Sequence, residues 1–192
     1  QIQWLVAALS VGLGFGLQEI VTNFVSGLVI LFERPVRVGD TVTVGQLSGT
    51  VSQVRIRATT ITDWDRKEII VPNKSFITEQ VVNWTLTDPI TRIVVNVGIS
   101  YGSDVELARK VMLETLSSLS SVLDDPEPRV YFTGFGDSSL DFTLHAFLRQ
   151  LSDRLPTIDE IHRSIFSALR ANGIEIPFPQ RDLHIRTNTE AK

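Results

Sequence analysis

The chain has 192 residues with 18 basic and 22 acidic side chains, and its formal net charge of −4 excludes a globally basic nucleic-acid binder. Hydrophobic residues make up 43% and charged residues 21%, enough apolar material for a packed core and too much for a disordered chain. With no cysteine, disulfide staples, thiolate nucleophiles and cysteine-ligated metal sites are excluded.

Charge is spread unevenly. From Gln1 to Phe32 the one charged side chain is Glu19, and residues 4–32 form a nearly continuous apolar run. As a helix that run is about 43 Å long, against a hydrocarbon core of roughly 30 Å. The prediction is a membrane-spanning helix over 1–33 that tilts, extends into the interface or breaks. The chain opens at Gln1 inside the run, so a longer polypeptide is expected around it. The first half of the helix is rich in small residues: Ala7, Ala8, Ser10, Gly12, Gly14 and Gly16. Ala8, Gly12 and Gly16 recur every fourth residue, which leaves a smooth face for a neighbouring helix. Ala7, Val11 and Phe15 recur at the same spacing and carry the bulk. In the second half Glu19, Thr22, Asn23, Ser26 and Glu33 form a polar stripe opposite Ile20, Phe24, Leu28 and Leu31, an amphipathic pattern suited to the interface. Polar groups at membrane depth face protein or water, so Glu19 and Asn23 argue for more than an anchor. Arg34 and Arg37 follow at once and favour a cytoplasmic location for the rest. Gly12-Leu13-Gly14-Phe15-Gly16 has no strand before it and is not a dinucleotide loop.

Residues 34–88 read as a small β-barrel or curled sheet of about five strands. Thr41–Val44 and Gly49–Arg57 alternate with period two, and Ile69–Val71 leads into Pro72-Asn73. Gly39-Asp40, Gly45 and Asp63-Trp64-Asp65-Arg66 are turn signals. Residues 89–176 change to βαββα. Ile93–Ile99 is a predicted strand, and Ser103 with Glu106 forms a capping box before a helix over Val105–Leu119. Strands over Arg129–Phe135 and Leu140–Leu148 follow. Thr157 with Glu160 forms a second capping box, before a helix that stops at Asn172-Gly173. Asp182–Thr187 completes a ferredoxin-like order. Residues 34–74 carry a net charge of +3 and residues 104–160 a net charge of −6; a basic layer next to the helix suits anionic lipid headgroups.

No catalytic constellation is visible. His145, His162 and His184 fall on separate elements without metal-ligand spacing. Asp63 and Asp65 read as a charged hairpin tip. No nucleophile elbow or phosphate loop occurs. The expectation is a protein that is not an enzyme and uses no metal and no cofactor.

The stretch from Ala8 to Asp40, with Leu17-Gln18-Glu19-Ile20 and Phe32-Glu33-Arg34-Pro35-Val36-Arg37, resembles the pore helix and linker of the small-conductance mechanosensitive channel (MscS) family. Gly49-Thr50-Val51, Thr59-Thr60, Val71-Pro72-Asn73, Asn83-Trp84 and Pro177-Phe178-Pro179-Gln180 follow in the family's order. The wording is similar to the larger, potassium-dependent branch. The resemblance implies an α+β membrane protein: a pore-lining transmembrane helix, an Sm-like β domain, a ferredoxin-like βαββα domain, and over 177–192 a tail whose Asp182–Thr187 is a strand of a C-terminal β-barrel.

By position the resemblance implies a pore constriction at Val11 and Phe15, and packing between helices through Ala7, Ala8, Ser10, Gly12 and Gly14. It also implies a break at Gln18-Glu19, where Glu19 replaces a frequent hinge glycine; Gly27 is the other candidate bend. The implied partners are further copies of the chain, as a heptamer, together with membrane lipids and permeating ions and small solutes, and no nucleic acid. The implied setting is the bacterial inner membrane, multi-pass, with everything after about residue 33 cytoplasmic. The implied activity is a weakly selective pore that tension opens on hypoosmotic shock. The alternative is a membrane-tethered module that binds RNA or a small ligand, for which Trp64, Trp84 and the basic β domain speak.

Overall fold

The apolar run folds into one helix, α1 (Ile2–Glu33, 32 residues), in the computed structural model, which describes residues 2–184. Among the described residues it is the one helix long and apolar enough to cross a membrane. It is continuous through Gln18-Glu19, so the expected break is absent from this structure. The physical reason is local. Gln and Glu are good helix formers, neither removes a backbone donor, and the side chains of Thr22 and Asn23 donate back to the Gln18 and Glu19 carbonyls at 2.8 and 2.9 Å. The helix stops at Arg34, which takes a left-handed φ of 52° and donates its N–H to the Ile30 carbonyl, with Pro35 next. Glycine is usual at that position because it has no Cβ to crowd the carbonyl.

The chain divides after Pro89 into two units, each with its own core. In the first, β1 (Thr41–Val44), β2 (Leu47–Val54), β3 (Ala58–Thr62), β4 (Glu68–Pro72) and β5 (Val81–Asn83) form an antiparallel sheet of order β4-β3-β2-β1-β5. A short helix, α2 (Asn73–Thr78), separates β4 from β5. The β1–β2 hairpin turns on Gly45, whose φ of +59° is what primed turns demand. Alternation puts Val42, Val44, Val51, Ile61 and Val71 inward, where Ile30, Val36 and Phe76 complete the core. The charged stretch is a hairpin tip as expected: Asp63 accepts the Lys67 N–H at 2.8 Å and Arg66 has a φ of 68°.

The second unit runs β6 (Thr91–Ile99), α3 (Val105–Ser118), β7 (Arg129–Phe135), β8 (Leu140–Leu148), a single 3-10 turn, then α4 (Arg154–Ala171). The sheet is antiparallel with β8 in the middle, order β6-β8-β7. Its inner face, including Ile93, Val95, Phe142, Leu144 and Leu148, buries against Met112 and Leu116 of α3 and Ile161, Ile165 and Leu169 of α4. Both capping boxes need correction. Asp104, not Ser103, caps α3, its carboxylate accepting the Glu106 and Leu107 N–H groups at 2.9 and 3.0 Å; a carboxylate next to the positive helix end outcompetes a hydroxyl one residue earlier. α4 begins at Arg154, so Thr157 lies within its first turn and is buried, and Pro156 sits where a helix needs no donor. The stop is as expected. Gly173 has a φ of +70°, Ile174 N–H reaches the Leu169 carbonyl at 2.9 Å, and Gly173 N–H reaches that of Arg170 at 3.2 Å. Of the expected strand Asp182–Thr187, residues 182–184 have no regular structure and the remainder lies outside the described residues.

Candidate functional site

The two halves of α1 have different surroundings. Every side chain from Ile2 to Val21 is exposed in the single chain. Val11 and Phe15, four residues apart and so on one side of the helix, are 59% and 73% exposed. A Cβ added to Gly12, Gly14 or Gly16 would meet nothing within 4 Å. The small face of Ala8, Gly12 and Gly16 and the bulky side of Val11 and Phe15 are therefore presented outward. Ser10 satisfies its hydroxyl on its own helix, donating to the Val6 carbonyl at 2.8 Å.

Contact with the β domain starts at Glu19. Its carboxylate takes a hydrogen bond from Lys74 Nζ at 2.8 Å, and one turn on, Asn23 Oδ1 accepts the Lys74 backbone N–H at 2.9 Å. One turn further, Gly27 is buried, and a Cβ there would overlap the Ile56 carbonyl oxygen and stand 2.6 Å from Asn73 Nδ2. Glu19, Asn23 and Gly27 thus form a single i, i+4, i+8 row seated on the start of α2. Ser26 and Ile30 are buried beside that row. Gly27 is explained by close approach of two backbones.

The seat itself is organised by Asn73. Its side chain accepts from the Thr59 hydroxyl at 2.9 Å and donates to the Arg55 and Ile56 carbonyls at 2.9 and 3.0 Å, while its N–H reaches the Arg57 carbonyl at 3.1 Å. One buried amide therefore fixes the β2–β3 connection on which the helix rests. At the other end of the helix, Asn83 donates to the Pro35 carbonyl at 3.1 Å and to the Asp40 carboxylate at 2.7 Å, and Asp40 also accepts the Arg37 N–H at 2.9 Å. The motifs Val71-Pro72-Asn73 and Asn83-Trp84 hold the two ends of one joint. Trp84 donates its indole N–H to Thr43 at 3.1 Å, whereas Trp64 is at the hairpin tip.

Lys74 and the Ile56 carbonyl were not singled out from the sequence. Lys74 is 55 positions from Glu19, and no local signal marks such a pair. The Glu19, Asn23, Gly27 spacing is the signal that was there to be read. Among the described residues no group of three or more side chains is placed to hold a metal ion.

Two family models match the chain, "Mechanosensitive ion channel, beta-domain" over residues 19–86 and "Mechanosensitive ion channel MscS, C-terminal" over residues 93–176. The mechanosensitive channel MscK of Escherichia coli is 58% identical over 96% of this chain and 16% of that protein. The miniconductance mechanosensitive channel MscM of the same organism is 46% identical over 97% of this chain and 17% of that protein. The chain therefore spans about a sixth of the length of these relatives. The crystal structure of Helicobacter pylori MscS in its closed state superposes with a TM-score of 0.89 at 25% identity, covering 97% of this chain and 74% of that one.

Proposed function

The chain belongs to the mechanosensitive ion channel (MscS) family, and on that premise we propose that it is the pore-forming end of a channel subunit that membrane tension opens. The observation that carries this reading is α1: membrane-length, exposed on every side over its first twenty residues, and seated on a folded domain from Glu19 onward. Such a helix needs neighbours, and its small face accepts them. The oligomer is read as a heptamer of this chain in the bacterial inner membrane, part of a multi-pass subunit whose residues after about 33 are cytoplasmic.

Around the axis, copies of Val11 and Phe15 form two stacked apolar rings, one helical turn apart. A narrow apolar constriction stops ions by dewetting before it is sterically shut. Tension favours the state of larger in-plane area, and the first half of α1, free of intrachain contacts, is the part that tilts. Ala7, Ala8, Ser10, Gly12 and Gly14 let neighbouring helices slide. The helix is unbroken in this structure, and on opening it bends at Gln18-Glu19, where the seat begins, and not at Gly27, which is pressed against Ile56 and Asn73. Ions and small solutes pass with weak selectivity, because the constriction carries neither a carbonyl filter nor a ring of charge.

The test is suction applied stepwise to liposomes holding the complete subunit. Step-like currents that appear above a tension threshold support the reading; silence up to membrane rupture contradicts it. The alternative of an RNA- or ligand-binding module is not supported by relatives that are named as channels.

A further inference from the structure

The sheet of the second unit buries one face under α3 and α4 and leaves the other open. At one end of the open face three basic side chains arrive from three adjacent strands. Arg129 of β7 lies directly opposite His145 of β8; on the other side Val94 of β6 lies opposite His145, with Arg92 the next residue of β6 on that face. The strands flanking β8 are about 10 Å apart, so two guanidinium groups bracket one imidazole. Tyr131 closes the group from β7, its ring edge-on to His145 with centroids 5.3 Å apart.

This is a concentration of positive charge with little to offset it. The one ion pair of the group is Arg129 with Glu127 at 3.6 Å, and Arg92 has none among the described residues. Asp141, on the same face of β8, is four residues from His145, about 13 Å along the strand. His145 is held below its ordinary pKa by partial desolvation first, then by Arg92 and Arg129. A bound anion would relieve that repulsion, and guanidinium groups are suited to bidentate contact with tetrahedral oxyanions.

We propose that Arg92, His145 and Arg129 form a binding site for a phosphate group on the open face of this sheet. The two arginines supply fixed charge, and the imidazole becomes a third donor when it takes up a proton. Anion binding and His145 protonation are therefore linked, each favouring the other. The groups that set this linkage are Arg92 from β6, Arg129 and Tyr131 from β7 with Glu127 just before that strand paired to Arg129, and Asp141 on His145's own strand. The proposal does not depend on tension gating, since binding is measured at equilibrium without any current.

The experiment measures equilibrium binding of radiolabelled inorganic phosphate, and of sulfate as a probe whose charge is constant with pH, to the complete subunit in detergent. Saturable binding is expected, weakened about tenfold in Arg92→Gln and in Arg129→Gln, the scale of one charge-assisted hydrogen bond, and unchanged in Arg163→Gln on α4. Sulfate affinity should rise as pH falls through the histidine range, and His145→Gln should flatten that rise while leaving binding at alkaline pH. Repeating the assay in phosphatidylcholine nanodiscs with and without phosphatidic acid separates two sources: competition by the lipid assigns a headgroup phosphate, and no competition assigns a soluble one. Absence of saturable binding to the folded protein, or equal binding by wild type and both arginine variants, would overturn the proposal.

Discussion

The first seventeen residues of α1 and the last fifteen belong to one unbroken helix, yet the chain treats them in opposite ways. Both halves are apolar and both have the propensity to be helical. The first has every side chain exposed, Val11 and Phe15 among them, while the second gives up Glu19, Asn23 and Gly27 to contacts with the β domain. Helix formation is therefore not what separates them. What separates them is contact with the β domain, which Glu19, Asn23 and Gly27 make and Val11 and Phe15 do not.

The comparison can be broken most strongly at Gly27. Gly27→Val forces a side chain into the Ile56 carbonyl and Asn73, and overpacking of this kind costs about 1–3 kcal/mol; limited proteolysis should then cut near the joint in the variant and not in wild type. Asn73→Ala comes next. It leaves the Thr59 hydroxyl and two carbonyls without a partner, at about 1–3 kcal/mol, and thermal unfolding of the first unit should shift down accordingly. Glu19→Gln is milder, because the pair with Lys74 is 69% and 40% exposed and such pairs contribute at most about 1 kcal/mol. Its effect should appear as a shifted opening threshold with little change in melting temperature, and high salt should reproduce it in wild type.

The smallest effect lies in the second unit. His145 has a folded-state pKa below its unfolded value of about 6.5, so the unfolded state binds more protons between the two values. Stability from this source is complete above about pH 6.5 and falls as pH drops toward the folded-state value. A shallow loss of stability in that window, absent from His145→Gln, is the expected result in calorimetry at low phosphate and sulfate.

Periodicity and punctuation carried the local part of the fold. Alternation and turn residues marked β1, most of β2 and the middle of β4, and Asn172-Gly173 marked the end of α4, because those signals act within a few residues of where they are written; β3 and the three-residue β5 were not placed individually. The start of α3 at Val105 was legible but its cap lies one residue after Ser103, and the cap of α4 lies four residues before Thr157, since Ser103 and Asp104 compete for one cap and Pro156 is tolerated inside a first turn as well as before it. The site was only half legible. Val11 and Phe15 follow from spacing and a family resemblance, but Lys74 acts across 51 and 55 positions, the side chain of Asn73 across 14 to 18, and the choice of glycine at position 27 depends on a carbonyl from the β2–β3 connection. A break at Gln18-Glu19 was expected from the family's pattern; the helix instead runs on, because Glu19 supplies a good helix former where that pattern has glycine.

We propose the exposed first half of α1 as the gate of a tension-operated pore. Patch recording of Phe15→Ser against wild type, with suction raised in steps on the same membrane, tests it most directly. A polar side chain wets the apolar ring, so a lower tension threshold and leak at rest are expected. A threshold and a resting current equal to those of wild type would contradict it.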